Sequence, residues 1–121
     1  MNIISYNIRG LGRGIKWSAI RRMAHKEQID LLCIQKTKRE SIHRSACQAL
    51  WGDREIGWES QPVNNTAGGL LCIWSEKVFK LQSSNIGSGY IMLVGKWLKE
   101  DQQVCIVNVY SPCDIHGKRQ L

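Results

Sequence analysis

The sequence predicts a mixed α/β (α+β) fold, and three observations carry that prediction. A strand pattern at residues 2–8, with Ile3, Ile4, Tyr6 and Ile8 apolar, opens the chain. A helical stripe at residues 15–27 follows, and then the run Leu31-Leu32-Cys33-Ile34, whose four consecutive apolar residues suit a strand covered on both faces. Together these make a β-α-β unit, which is parallel and right-handed almost without exception. From residue 56 onward the chain turns to strand-like runs separated by turn residues. A length of 121 residues suits a single domain, 1–121, and such a chain buries roughly 65% of its unfolded surface.

The first strand ends at Asn7-Ile8-Arg9-Gly10-Leu11-Gly12, where two glycines mark a turn and permit close approach of a ligand to the backbone. The helix over 15–27 places Trp17, Ile20, Met23 and Ala24 on one side and leaves Arg21, Arg22 and Lys26 towards solvent. The strand over 30–35 delivers Gln35, Lys36 and Thr37 to its C-terminal mouth, where open α/β sheets tend to place their chemistry. Ser41 reads as the N-cap of a second helix over about 41–51, with Ile42, Ala46, Cys47 and Leu50 apolar and His43 and Arg44 exposed. Residues 56–61 alternate with Ile56, Trp58 and Ser60 on one face. Ala67-Gly68-Gly69 leads into a strand ending at Trp74, and the glycine pair suggests close approach of a second backbone or a ligand. Residues 78–85 read as a further strand. Residues 89–98, with Ile91, Leu93 and Trp97 inward, form a hairpin through Glu100-Asp101-Gln102 with a buried strand over 104–110.

Seventeen Lys and Arg against ten Asp and Glu give a net charge of +7, which favours an anionic partner, most commonly DNA or another nucleic acid. The five cysteines contain no C-x-x-C pair and are odd in number. Cys33, Cys72 and Cys105 lie inside apolar runs and read as small buried hydrophobes. Reduced thiols and the lack of a leader-like start predict an intracellular protein, nuclear or cytoplasmic rather than secreted. No apolar run is long enough for a membrane span.

Three segments resemble motifs of one family. They are Asn7-Ile8-Arg9-Gly10, the stretch Leu32-Cys33-Ile34-Gln35-Lys36-Thr37-Lys38, and Asn108-Val109-Tyr110-Ser111-Pro112, with Gly68-Gly69 and Trp74 in support. They are similar to the endonuclease/exonuclease/phosphatase superfamily, in particular to the endonuclease domain of plant non-LTR (LINE-type) retrotransposons. The resemblance implies the N-terminal half of a four-layer α/β/β/α sandwich and an ancestral metal-dependent hydrolysis of DNA phosphodiesters, with Mg²⁺ as the family's cofactor. Carried over by position, it places Asn7 in the metal site and Tyr110 and Asn108 among the catalytic residues. Period two puts Asn108 and Tyr110 on one face of their strand.

The family pattern has a metal-binding Glu where this chain has Lys36. An ammonium is a donor only. At about 4 Å and an effective dielectric near 20, a single positive charge beside a divalent cation costs roughly 8 kcal/mol before relaxation. Lys36 is therefore not expected to bind metal. The family's later motifs, which supply further Asp and His residues, are not found before Leu121. The expectation is a truncated, inactive member. Two other readings stay open: a non-catalytic basic nucleic-acid-binding module, and a related phosphatase or phosphodiesterase. Half of a sandwich would present the inner face of one sheet to water, so self-association through an exposed sheet face is expected.

Overall fold

The computed structural model describes residues 2–7, 14–37, 44–51, 55–62 and 69–109. In chain order these form β1 (Ile3–Asn7), α1 (Gly14–Lys26), β2 (Leu31–Gln35), α2 (Arg44–Trp51), β3 (Ile56–Gln61), β4 (Leu70–Ser75), β5 (Phe79–Gly87), β6 (Tyr90–Trp97) and β7 (Gln102–Val109). Every helix and strand expected from the sequence within these residues is present. Tyr110, Ser41 and His43 lie outside them.

The first unit folds as its pattern dictates. Ile20 and Ala24 of α1 are buried, Met23 is half-buried, and Arg21, Arg22 and Lys26 are exposed. The helix closes on a Schellman motif. Gln28 adopts a left-handed φ of 51°. Its N–H donates to the carbonyl of His25 at 3.3 Å, and the N–H of Ile29 donates to Ala24 at 3.0 Å. Ile29 then enters the core beside Ala24. Asn2 ties this corner to β1: its side-chain amide donates to the carbonyls of Glu27 and Gln28, and its backbone N–H donates to the Asp30 carboxylate at 2.9 Å.

Two sheets result. In the first, of order β1-β2-β4-β3, β1 and β2 are parallel and the other pairs antiparallel. In the second, β5, β6 and β7 form an antiparallel meander. Alternation along the two central strands divides the core. Leu32 and Ile34 of β2 and Leu71 and Ile73 of β4 face the helices and pack with Ile20, Ala24, Ile29, Cys47, Trp51 and Ile56. Leu31 and Cys33, with Leu70, Cys72 and Trp74, face the second sheet and pack with Phe79, Ile91, Leu93 and Trp97. Each such aliphatic or aromatic side chain stabilises the fold by about 1.5–3 kcal/mol relative to exposure. The join between the sheets is aromatic. Trp74 meets Phe79 edge-on at 5.7 Å between ring centroids, and Phe79 meets Trp97 at 5.3 Å.

Three expectations change. The inner face of the first sheet is not open to water, because the second sheet covers it. The exposed apolar side chains lie instead largely on β1 and β7, one edge strand of each sheet: Ile3 and Tyr6 on one, Val107 and Val109 on the other. The last strand is therefore half-buried rather than buried, with Val104, Ile106 and Asn108 inward and Cys105, Val107 and Val109 outward. Cys105 is accordingly exposed, whereas Cys33 and Cys72 are buried as expected. No helix among the described residues is long and apolar enough to cross a membrane.

Candidate functional site

The strand registers bring the sequence-marked residues to one end of the molecule. β1 and β2 run parallel with Asn7 opposite Gln35, and β2 and β4 run antiparallel with Gln35 opposite Leu70. Asn7, Gln35 and Lys36 are thus delivered together at the C-terminal ends of β1 and β2. β7 arrives at the same end from the second sheet. A cavity of about 280 Å³ opens between the β1 and β7 edges, and Ser5, Asn7, Cys33, Gln35, Lys36 and Asn108 line it. Three of the four residues marked from the sequence therefore share one wall-to-wall space. The fourth, Tyr110, follows Val109 directly and lies outside the described residues.

Asn108 is the pivot. It is 2% exposed, and its amide nitrogen donates to the carbonyls of Leu71 at 3.1 Å and Ile34 at 3.3 Å, and lies 3.5 Å from the Cys72 sulfur. Its oxygen accepts from Gln35 Nε2 at 2.8 Å, while the second hydrogen of that nitrogen goes to the Ser5 hydroxyl at 2.9 Å. One carboxamide from β7 thus ties the second sheet to β2 and β4, and through Gln35 to β1. A buried carboxamide must satisfy both its donors and its acceptor, and this geometry does so.

Lys36 sits just past β2 in a left-handed conformation, φ 60°, uncommon for a residue with a Cβ. The turn lets the next residue, Thr37, plunge back into the protein. Thr37 is fully buried, and its N–H donates to the Gly69 carbonyl at 3.2 Å. Gly69, the second glycine of the pair, itself has φ 95°, which a side chain would oppose. The close backbone approach expected there is this contact between the end of β2 and the start of β4.

The donor set of the cavity decides what it can hold. Among its described lining residues the oxygens are neutral, namely the Ser5 hydroxyl and the carboxamides of Asn7, Gln35 and Asn108, and the charged group is the Lys36 ammonium. Mg²⁺ is bound through hard oxygens that include one or two carboxylates. These residues do not fit it. No group of three His, Cys, Asp or Glu suited to a metal ion occurs among the described residues. An ammonium is a donor only and suits an anion, whereas the amide hydrogens of Gln35 and Asn108 are spent within the protein.

Sequence reasoning set Gln35 at the mouth of its strand without a partner for it, and left Ser5, on the strand that carries Asn7, without a role. It also missed Gln61, 6% exposed, which spans the sheets at their opposite edges. Gln61 Nε2 donates to the carbonyl of Gly87, and its oxygen accepts from the N–H of Gly89 at 3.2 Å. A second, larger cavity of about 530 Å³ lies at the far end, lined by Trp58, Trp74, Phe79 and Leu98 with Glu76 and Lys80 among its charged members. None of the sequence-marked residues lies there.

No family model matches the chain, and no curated protein matches it. Solved structures do. The AP endonuclease LMAP from Leishmania major superposes with a TM-score of 0.66 at 19% identity, over 98% of this chain and 42% of its own. The catalytic domain of Xenopus laevis APE2 gives 0.63 at 15% identity, over 99% of this chain and 48% of its own. ANGEL2, a 2′,3′-cyclic phosphatase, gives 0.63 at 14% identity, over 87% of this chain and 39% of its own. The chain thus spans less than half the length of each. What it shares with them is the fold.

Proposed function

We propose that this chain is a retrotransposon-derived, endonuclease-type domain that binds the phosphates of nucleic acid without hydrolysing them. One observation carries the reading. Lys36 stands with Asn7 and Asn108 in one cavity whose described lining offers no carboxylate. The fold supports a phosphoester ligand by analogy with an AP endonuclease and a cyclic phosphatase. The net charge of +7 supports a polyanion. In this reading Lys36 supplies the charge, Asn7 the polar rim, and Tyr110, next after Val109 in the sequence, a hydroxyl. Asn108 is a positioning residue that holds the mouth in shape. Mg²⁺, the cofactor of the family the motifs resemble, has no step here. Copies of the chain associate through the open β1 and β7 edges.

Two measurements test this. Fluorescence anisotropy with a labelled duplex should show binding that falls linearly in log–log against salt, and Lys36→Met should weaken it for every sequence and reduce the slope by about one. Supercoiled plasmid with Mg²⁺ or Mn²⁺ should stay unnicked. Robust nicking that is lost in Tyr110→Phe overturns the reading, as does binding that ignores salt.

A further inference from the structure

Two of the cysteines are paired by the fold without being bonded. β2 and β4 are antiparallel neighbours in the middle of the first sheet, and their register sets Cys33 directly opposite Cys72. Both belong to the cluster between the sheets, and their sulfurs are 3.9 Å apart as free thiols. Directly opposed residues of an antiparallel pair have Cα atoms roughly 4.5 or 5.5 Å apart, and both spacings lie in the range a disulfide spans. Closing the bond draws the sulfurs from 3.9 Å to about 2.05 Å, a rotation of side chains on a backbone already in place.

The two thiols differ in access. Cys33 lines the cavity between the β1 and β7 edges, while Cys72 has no exposed surface. A small oxidant entering the cavity meets Cys33 first, with Cys72 behind it. The hydrogen bond between the pair favours the thiolate of Cys33 and holds its pKa below the ordinary thiol value; the same contact and then burial push Cys72 well above it. The other described thiols lack this arrangement. Cys47 is buried on the helix side of the first sheet, where burial pushes its pKa up to about 11, and Cys105 points outward from β7.

We propose that Cys33 and Cys72 form an oxidisable dithiol site, with a hydroperoxide as the oxidant, that closes to an intramolecular disulfide across the first sheet. The Cys33 thiolate attacks one peroxide oxygen; the O–O bond breaks, and the departing hydroxide takes up the thiol proton to become water. Cys33 is left as a sulfenic acid. The Cys72 sulfur then attacks the Cys33 sulfur, the S–O bond breaks, and the hydroxyl leaves with the Cys72 proton as a second water. Two thiols are oxidised to one disulfide, and one hydrogen peroxide is reduced to two waters. The step also reaches the cavity mouth, because it moves the Cys72 sulfur that lies 3.5 Å from the Asn108 amide. The proposal does not depend on nucleic-acid binding.

The test uses the folded chain with Cys105→Ser and Cys113→Ser, so that intermolecular bridges do not compete. Treatment with hydrogen peroxide, quenching and digestion without reductant should yield a Cys33–Cys72 linked peptide. Intact mass should fall by two hydrogens and recover with dithiothreitol. In Cys72→Ser, Cys33 should stop at a sulfenic acid that dimedone traps. The proposal is overturned if peroxide-treated protein, once denatured, still has both thiols free to alkylate, or if Cys33 proceeds to sulfinic acid with Cys72 intact. Should Cys72→Ser not fold, the linked peptide decides alone.

Discussion

Asn108 shows how much one side chain can hold. Its amide hydrogens serve two main-chain carbonyls, and its oxygen serves Gln35. Replacement by Ala leaves those partners buried and unanswered, at about 1–3 kcal/mol for each group that water cannot reach. We expect Asn108→Ala to lower unfolding free energy by about 2–3 kcal/mol in urea melts. Asn108→Asp should be worse at neutral pH, because a carboxylate would face the carbonyl oxygens of Ile34 and Leu71. Protonation restores one donor. The folded-state pKa of that Asp would be raised above its unfolded value, so the stability it supports is present at low pH and lost as pH rises through the folded value. Urea melts at pH 4 and pH 7 check the sign: N108D should be closer to the parent at the lower pH. The residue itself was legible, since period two and the neighbouring Tyr110 marked it. Its partners were not. Nothing in the local pattern says that a Gln from a strand 73 positions away will meet it. The same blindness explains Cys105. Like Cys33 it sits in an apolar run, but its strand has a covered face on one side only.

At the scale of elements the sequence was most informative where periodicity and length agreed, as in α1, β2 and β4. It was least informative about which strands would be edges. β7 carries an apolar run as dense as that of β2, and only the sheet order shows that β2 lies inside and β7 at the rim. Element packing also depends on places where a side chain is missing. A Cβ on Gly95 of β6 would lie 2.4 Å from the Lys80 carbonyl oxygen and 2.5 Å from the Phe79 ring. The carbonyl belongs to the paired strand and cannot step aside cheaply. Gly95→Ala should therefore destabilise by about 1–3 kcal/mol, read as a lower urea midpoint with an unchanged slope. The α1 ending was read to within one residue, 27 against the observed Lys26, although its left-handed position is Gln28 and no glycine announces the stop.

For the whole molecule, the sequence resemblance anticipated the mixed α/β fold, but not how the remaining apolar surface is distributed. Among the described residues β1 and β7 pair on one side only, and their edges with the exposed Ile3, Tyr6, Val107 and Val109 become the sticky surface. Open edges with apolar side chains template pairing with other chains, and a charge placed there blocks it. Sedimentation velocity should show concentration-dependent association of the chain, and Val107→Lys with Val109→Lys should return it to a monomer without loss of the melt. A monomer at every concentration would contradict the edge argument.

The route of the chain between the sheets has one more consequence. It passes from β4 to β5 through a tight turn, Glu76 to Val78, at the far end, where Val78 N–H donates to Ser75 and Leu98 N–H to Val78. At the near end, Gln61 and Asn108 fasten one sheet to the other. The molecule is bound like a book, with a covalent spine and two amide clasps. A bound volume opens at its clasps. Breathing motions should therefore part the leaves where Lys36 waits, leaving the Trp74–Phe79–Trp97 spine shut.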